Sequence, residues 1–245
     1  MRIKSCPHVL CVFQAMTDFR QALRPTAVID SDAPIVQDWA RTHVGNASTP
    51  QDQVIRLFYA VRDQFRYDPY RIDLSVRGMS ASRVIESGFG WCIPKAVLLA
   101  AACRVMGIPA RIGLADVRNH LSTARLREQM GTDVFYRHGY TAIHLAGQWV
   151  KATPAFNIEL CQKLRLHPLE FDGVSDSIYH PFDLSGQRHM EYLAMHGEHD
   201  DLPLVELRDI FATHYAQLLV TTEADWLADV EREAQLSAPG RAAAD

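Results

Sequence analysis

The sequence has no strong charge excess of either sign, no closely spaced cysteine pair, no apolar run of membrane length and no internal repeat. Each absence excludes something. A formal net charge of −4 with a pI near 6.2 offers no clustered Lys/Arg surface for nucleic acid or an anionic membrane. The expected partners are therefore small molecules or peptides. Five cysteines, at 6, 11, 92, 103 and 161, form neither the dense framework of a small secreted domain nor the paired spacing of a structural zinc site. They fit a reducing, cytoplasmic setting. No run approaches the ~18 apolar residues of a membrane span, and "VLCVFQA" near the start lacks a convincing cleavage site.

What is present is the composition of an ordinary globular chain: 245 residues, 48% hydrophobic and 22% charged, enough for one large core. Met16 opens a more regular sequence, so residues 1–15 are expected to be an upstream extension. Residues 16–236 are expected to form one domain and 237–245 a frayed tail.

Along the chain, Pro34 and Gly45 punctuate a helix over "DAPIVQDWARTHVG". Ser48 or Thr49 and Pro50 open a second, with Val54, Leu57, Phe58, Val61 and Phe65 on one face. Ser80 caps a short helix over "ASRVIES" that ends at Gly88. From Ile93 to Met106 the pattern is apolar nearly all round, so this helix is expected to be central and buried. "PARIGLADV" and "VFYRHGYTAIHLAGQWVKATPAF" have strand content, the latter as a hairpin turning at Ala146, Gly147 and Gln148. Residues 122–132 suggest a helical or mobile connection. After residue 160 the chain looks loop-rich, with a helix over "PLVELRDIFATHYAQLLV". Helices followed by antiparallel strands predict an α+β fold, a buried helix packed on an antiparallel sheet.

The densest stretch is "GFGWCIPKAVLLAAACRVMGIPAR". Cys92 stands at the start of its helix, where unpaired N–H groups and the positive end of the dipole favour a thiolate. Cys103 lies about three turns on, ~16 Å along the axis, too far for a disulfide, and reads as a core residue. Cys92 is either a nucleophile or one more buried thiol. A nucleophile needs a base, and "HGYTAIHLAGQW" offers two histidines. His138 and His144 share strand parity but stand ~20 Å apart, so only one can serve. His138 begins its strand beside Gly139, and His144 lies next to the turn.

These residues together resemble the transglutaminase-like superfamily of papain-like cysteine enzymes. In that superfamily a G-x-C motif opens the central helix, a "GIPAR" segment leads into the sheet, and a His is followed by a turn, a Trp and an Asp. The resemblance covers residues 50–157 and implies Cys92 as nucleophile and His138 as its base, with no metal or organic cofactor. It also implies an acyl-thioester intermediate, resolved by water in a hydrolase or by an amine in an acyltransferase, as in peptidases, cross-linking enzymes and arylamine acetyltransferases. At the superfamily's Asp position this chain has Thr153, which can accept a hydrogen bond but carries no charge. Asn157, Asp116 and Asp133 are the other candidates to orient the imidazole. The neutral Thr153 motivates the alternative of a degenerate domain that binds peptides or assembles with partners.

Two further groups stand out. "HMEYLAMHGEHDD" brings His189, Glu191, His196, His199 and Asp200 close in sequence, at a spacing that matches no standard metal site and reads as a solvated acidic turn. Arg77 and Arg83 precede the nucleophile helix and are either groove-lining or plain surface residues.

Overall fold

The computed structural model describes residues 19–119, 122–178, 184, 186, 190–219 and 225–236. The proposed extension 1–15 and the tail 237–245 lie outside the described residues, as do Cys6, Cys11 and His189.

The N-terminal helices follow their punctuation. Helix α1 (Pro34–Val44) has Pro at its first position, buries Val36, Ala40 and Val44 at a four-residue spacing, and stops at Gly45 with φ 57°. Helix α2 (Pro50–Gln64) is capped by Thr49, whose side chain accepts the Asp52 N–H at 3.1 Å. Its buried face is Val54, Leu57, Phe58 and Val61, the i, i+3, i+4 stripe of a helix lying on a core. A parallel pair of short strands, β1 (Arg66–Tyr67) and β2 (Phe89–Gly90), brackets helix α3 (Ala81–Ser87), which is capped by Ser80 and ended by Gly88 in the left-handed region.

Helix α4 (Cys92–Val105) is the hub. Every side chain from Cys92 to Arg104 is buried, and the helix packs on α1, α2 and α3 on one side and on strands β3 (Ala110–Asn119) and β4 (Val134–Leu145) on the other. Its Ala, Leu and Val side chains form a helix without a polar face, and a helix apolar all round is stable only when surrounded. Burial of each Leu or Val stabilises by roughly 1.5–3 kcal/mol. Two charges share this environment. Lys95 Nζ donates to the carbonyls of Arg62 (2.9 Å), Phe65 (2.7 Å) and Ala155 (2.7 Å). The Arg104 guanidinium donates to Ala110 O at 3.1 and 2.8 Å and to Asp200 O at 2.6 Å. Each is buried because backbone acceptors replace its water.

The sheet is antiparallel in the order β5-β4-β3-β6, with β5 at Gln148–Ala152 and β6 at Met190–His199. Helix α5 (Ala124–Met130) links β3 to β4, α6 (Ile158–Leu164) follows β5, and α7 (Leu204–His214) and α8 (Trp226–Leu236) close the described chain. The fold is the α+β arrangement expected, a buried helix on an antiparallel sheet.

Four details differ from the sequence reading. Helix α4 begins at Cys92 itself, with Trp91 as its N-cap. The hairpin turns on two residues, Ala146 and Gly147 (φ 48° and 88°), and Gln148 already pairs with Leu145. Two successive left-handed residues match the twist of the flanking strands. The segment read as an acidic turn is strand β6, an edge strand with Leu193 and Met195 exposed. Helix α7 ends at His214, well before Val220, and α8 was not anticipated.

Candidate active site

The site forms where the N-terminus of α4 meets β4 at His138 and Gly139; the strand starts at Val134, so His138 does not begin it. Thr141 Oγ1 donates to Ala96 O at 2.9 Å, tying the strand to the helix. Two residues earlier, Gly139 lies against Ile93 so closely that a Cβ would stand 2.8 Å from the Ile93 Cα. Against the burial that raises it, the backbone amides of Gly139, Ile93 and Cys92 itself lower the Cys92 thiol's pKa, favouring its anion.

Cys92 and His138 line the same cavity, of about 30 Å³. One water needs roughly 10–15 Å³, so the cavity is a hydratable gap and not a substrate chamber. Its other walls are mostly apolar, including Tyr67, Trp91, Leu126, Phe135, Phe211, Tyr215 and Leu218. The last three come from α7 and the residues after it. Phe211 stacks at 5.5 Å on Trp91, and Tyr215 OH donates to Val134 O at 2.8 Å while accepting the Tyr136 N–H at 2.5 Å. The roof leaves Cys92 4% and His138 3% exposed.

Burial sets the resting charges. It pushes the Cys92 thiol up to about 12, against the pull of the three N–H groups, and the His138 imidazolium down to about 3. Removing either ion from water is unfavourable, so the covered site holds a neutral thiol and a neutral imidazole.

The candidate orienters have separate fates. Extending the register Thr141↔Ala152 sets Thr153 beside Tyr140, diagonal to His138. Thr153 is 1% exposed, and its hydroxyl is buried with no hydrogen-bond partner among the described residues. Asn157 Oδ1 accepts the Tyr67 N–H at 3.2 Å. Asp133 pairs with Arg118 at 3.2 Å. Asp116 accepts the backbone N–H of Arg137 at 2.9 Å and its guanidinium at 3.1 Å. His144 is at the far end of β4, its ring 4.4 Å from Phe19 and 5.3 Å from Trp149. Cys103 is fully buried.

The described residues of "HMEYLAMHGEHDD" spread along β6 and beyond: Glu191 pairs with Arg118 at 3.4 Å, and Asp200 with Arg111 at 2.9 Å. Among the described residues no group of three or more His, Cys, Asp or Glu is placed to hold a metal ion, and no helix is long and apolar enough to cross a membrane.

Two clefts flank the cavity. One, of about 600 Å³, shares Tyr67 with it and mixes charged residues, such as Arg66, Asp68, Arg71 and Asp225, with apolar ones, such as Phe89 and Trp226. The other, of about 270 Å³, shares Ile72, Trp91 and Leu218 with the cavity and includes Arg83. Arg77 instead pairs with Glu86 at 2.9 Å.

A buried cysteine thus stands at the first position of a central helix packed on an antiparallel sheet, and a histidine of that sheet lines the same cavity. Residues 37–154 of the 245 match the model of the transglutaminase-like superfamily. A search of curated proteins finds no match to the chain. Among solved structures it is similar to a protein of Cytophaga hutchinsonii provisionally named a cysteine protease, at 18% identity and a TM-score of 0.45, over 74% of this chain and 56% of that one. A provisionally named protease of Parabacteroides distasonis is similar at 16% identity and a TM-score of 0.34, over 51% of this chain and 25% of that one. The arylamine N-acetyltransferase of Mycobacterium abscessus is similar at 13% identity and a TM-score of 0.38, over 54% of this chain and 46% of that one. The chain thus spans little more than half the length of the first of these.

Proposed function

We propose that the protein is a cysteine-dependent hydrolase of amide or related acyl bonds, with Cys92 as nucleophile and His138 as proton carrier. The observation that supports this most is that a helix-terminal thiol and His138 line one cavity, beside the close approach of Gly139 to the same helix end. Cys92 Sγ attacks the carbonyl carbon as its proton passes to His138. The carbonyl oxygen takes the negative charge, facing the N–H of Cys92 and a neighbouring donor. His138 then returns the proton to the amine nitrogen as the C–N bond breaks, leaving a Cys92 thioester. Water adds to the thioester carbon, its proton again goes to His138, and the C–S bond breaks to release the carboxylic acid and restore the thiol. An amine in place of water would make the same site an acyltransferase. The substrate is a peptide, protein or small acyl-amide that enters by displacing the roof, which also rehydrates both groups and returns their proton affinities toward ordinary values.

Thr153 is the residue we assign to orient His138. A buried hydroxyl without a partner is unfavourable by about 1–3 kcal/mol, and an imidazole N–H arriving as the site opens would relieve it. The second reading, a domain that binds peptides without cleaving them, draws on the same residue, because a neutral Thr stabilises an imidazolium less than a carboxylate does.

The test is site-resolved alkylation. Native protein is treated with iodoacetamide at pH 6 to 7, and modification of Cys92, Cys103 and Cys161 is quantified by mass spectrometry, alongside turnover of peptide and acyl-amide libraries. The hydrolase reading expects Cys92 to react far faster than the two core thiols, and His138→Gln to abolish the difference. Equal, slow reaction of all three with no turnover would leave the binding module.

A further inference from the structure

Arg137 immediately precedes His138 and is in the left-handed region, with φ 61°. Among the described residues it is the one non-glycine inside a strand to do so; the other two, Ala146 and Arg165, lie in a turn and at a helix end. An Arg there is strained, and such strain persists only where neighbours impose it. The register shows what it accomplishes. Ala115 pairs with His138 and Val117 with Phe135, so Tyr136 and Arg137 together oppose the single residue Asp116. This is a β-bulge, an extra residue that bends a strand and re-aims the side chain beside it.

The bulge lies directly before His138. Beyond it β4 alternates regularly, with Gly139 and Thr141 against α4 and Tyr140 on the opposite face, its ring over Gly113 and its hydroxyl on Glu198 at 2.9 Å. His138, two residues before Tyr140 in the unbroken register and directly after the bulge, lines the cavity with Cys92.

Asp116 holds the distorted backbone. Its Oδ1 accepts the Arg137 N–H at 2.9 Å, closing a bond that the displaced strand no longer makes with β3, and also receives Arg137 Nη1 at 3.1 Å. On its other side Oδ2 lies 2.8 Å from His196 Nε2 of β6. The guanidinium is held from the far side by Glu206 of α7 at 2.9 and 2.8 Å.

We infer that Asp116 is a positioning residue: by clamping Arg137 in its left-handed conformation it aims His138 at Cys92, acting through the backbone and not on the imidazole. The inference rests on the proposed roles of Cys92 and His138 for its catalytic meaning, but the placement of His138 can be read without them.

The experiment follows His138 directly, through the ring resonances of protein labelled with ¹³C,¹⁵N-histidine, assigned by the His138→Gln variant, with Cys92 alkylation in parallel. Asp116→Ala should shift the His138 ring signals and slow Cys92 alkylation roughly tenfold, the scale of one unsupported strained residue. Asp116→Asn keeps an oxygen to accept the Arg137 N–H and should stay within about twofold of the parent. Asp116→Ala combined with Arg137→Gly should recover most of the loss, because glycine adopts φ near 61° without strain. If Asp116→Ala does not fold, Arg137→Val replaces it. A β-branched residue resists the left-handed region, so the His138 signals should move although Asp116 is intact. Unchanged His138 resonances in whichever of these two variants folds overturn the inference, as does a double variant that folds but recovers nothing. Alkylation that ignores His138→Gln in the parent protein overturns the catalytic roles instead, and the resonances still decide the role of Asp116.

Discussion

Gly139 of β4 and Ile93 of α4 meet backbone to backbone, with room for a hydrogen and nothing larger: a Cβ at 139 would lie 2.8 Å from Ile93 Cα and 3.2 Å from its nitrogen. Neither atom is at the end of a flexible side chain, so Gly139→Ala must push the strand off the helix. It should lower stability by ~1–3 kcal/mol, the usual effect of overpacking, and withdraw the Gly139 N–H from the sulfur, slowing Cys92 alkylation. Gly147→Ala at the hairpin tip is the control. That Cβ meets nothing within 4 Å, and the φ of 88° makes the change a backbone penalty alone; urea unfolding should detect it while Cys92 reactivity stays constant.

The pH dependence of stability should carry the signature of His138. Burial holds its folded pKa at about 3, below the ~6.5 of an unfolded histidine. Between these values the unfolded chain binds the proton and the folded one does not, so stability falls as pH drops from ~6.5 toward 3. His138→Gln should remove this part, making the loss between pH 7 and pH 4.5 smaller by ~2 kcal/mol in urea titrations. The raised Cys92 pKa acts at the other end: its contribution is present below ~8.5 and is lost as pH rises toward about 12, a loss that Cys92→Ala should reduce.

For Thr153 the expected outcomes are directional. Thr153→Val removes the hydroxyl at nearly constant shape and should slow Cys92 alkylation roughly tenfold, or ~1.4 kcal/mol, the scale of one neutral hydrogen bond. Thr153→Asp should preserve or raise reactivity by placing a charge beside an imidazolium. No change in either variant would remove Thr153 from the site.

Lys95 should be a structural keystone. Burial pulls its pKa down to about 7, yet the ammonium's three hydrogens have three carbonyl acceptors, at Arg62, Phe65 and Ala155. Lys95→Met fills the space but leaves those carbonyls without a donor, and should destabilise by ~2–4 kcal/mol. Because Ala155 lies just beyond Thr153, hydrogen exchange should increase at residues 153–157 before the sheet is affected.

The roof can be loosened without unfolding the core. Leu218 is 5% exposed and separates the Cys92 cavity from the cleft of about 270 Å³. Leu218→Ala should raise Cys92 alkylation several-fold, while Cys103 and Cys161, 0% and 2% exposed, stay protected. If all three thiols react faster together, the change reports global destabilisation and not an opened roof.

The amino-acid order by itself determined the elements whose signals are local. Thr49, Ser80, Pro34, Pro50, Gly45 and Gly88 set helix ends through their own backbones and side chains, and the all-round apolar run after Cys92 marks the central helix because such a surface must be enclosed. Cys92 at that helix's start was legible as a candidate from its position, and His138 and Thr153 as candidates from the family resemblance. Strand β6 was not. Its "MEYLAMHGEH" is an edge strand with exposed Leu193 and Met195 and the polar content of a turn, and only pairing with β3, far away in sequence, makes it a strand. Tertiary structure alone decided the environment of the site. The roof of Phe211, Tyr215 and Leu218 neutralises Cys92 and His138 by excluding water. The acceptors of Lys95 lie 30 or more residues away, and no residue type announces that an arginine will occupy the left-handed region. That conformation exists because Asp116, on the neighbouring strand, holds the Arg137 N–H, a relationship that strand register creates and that linear spacing does not record.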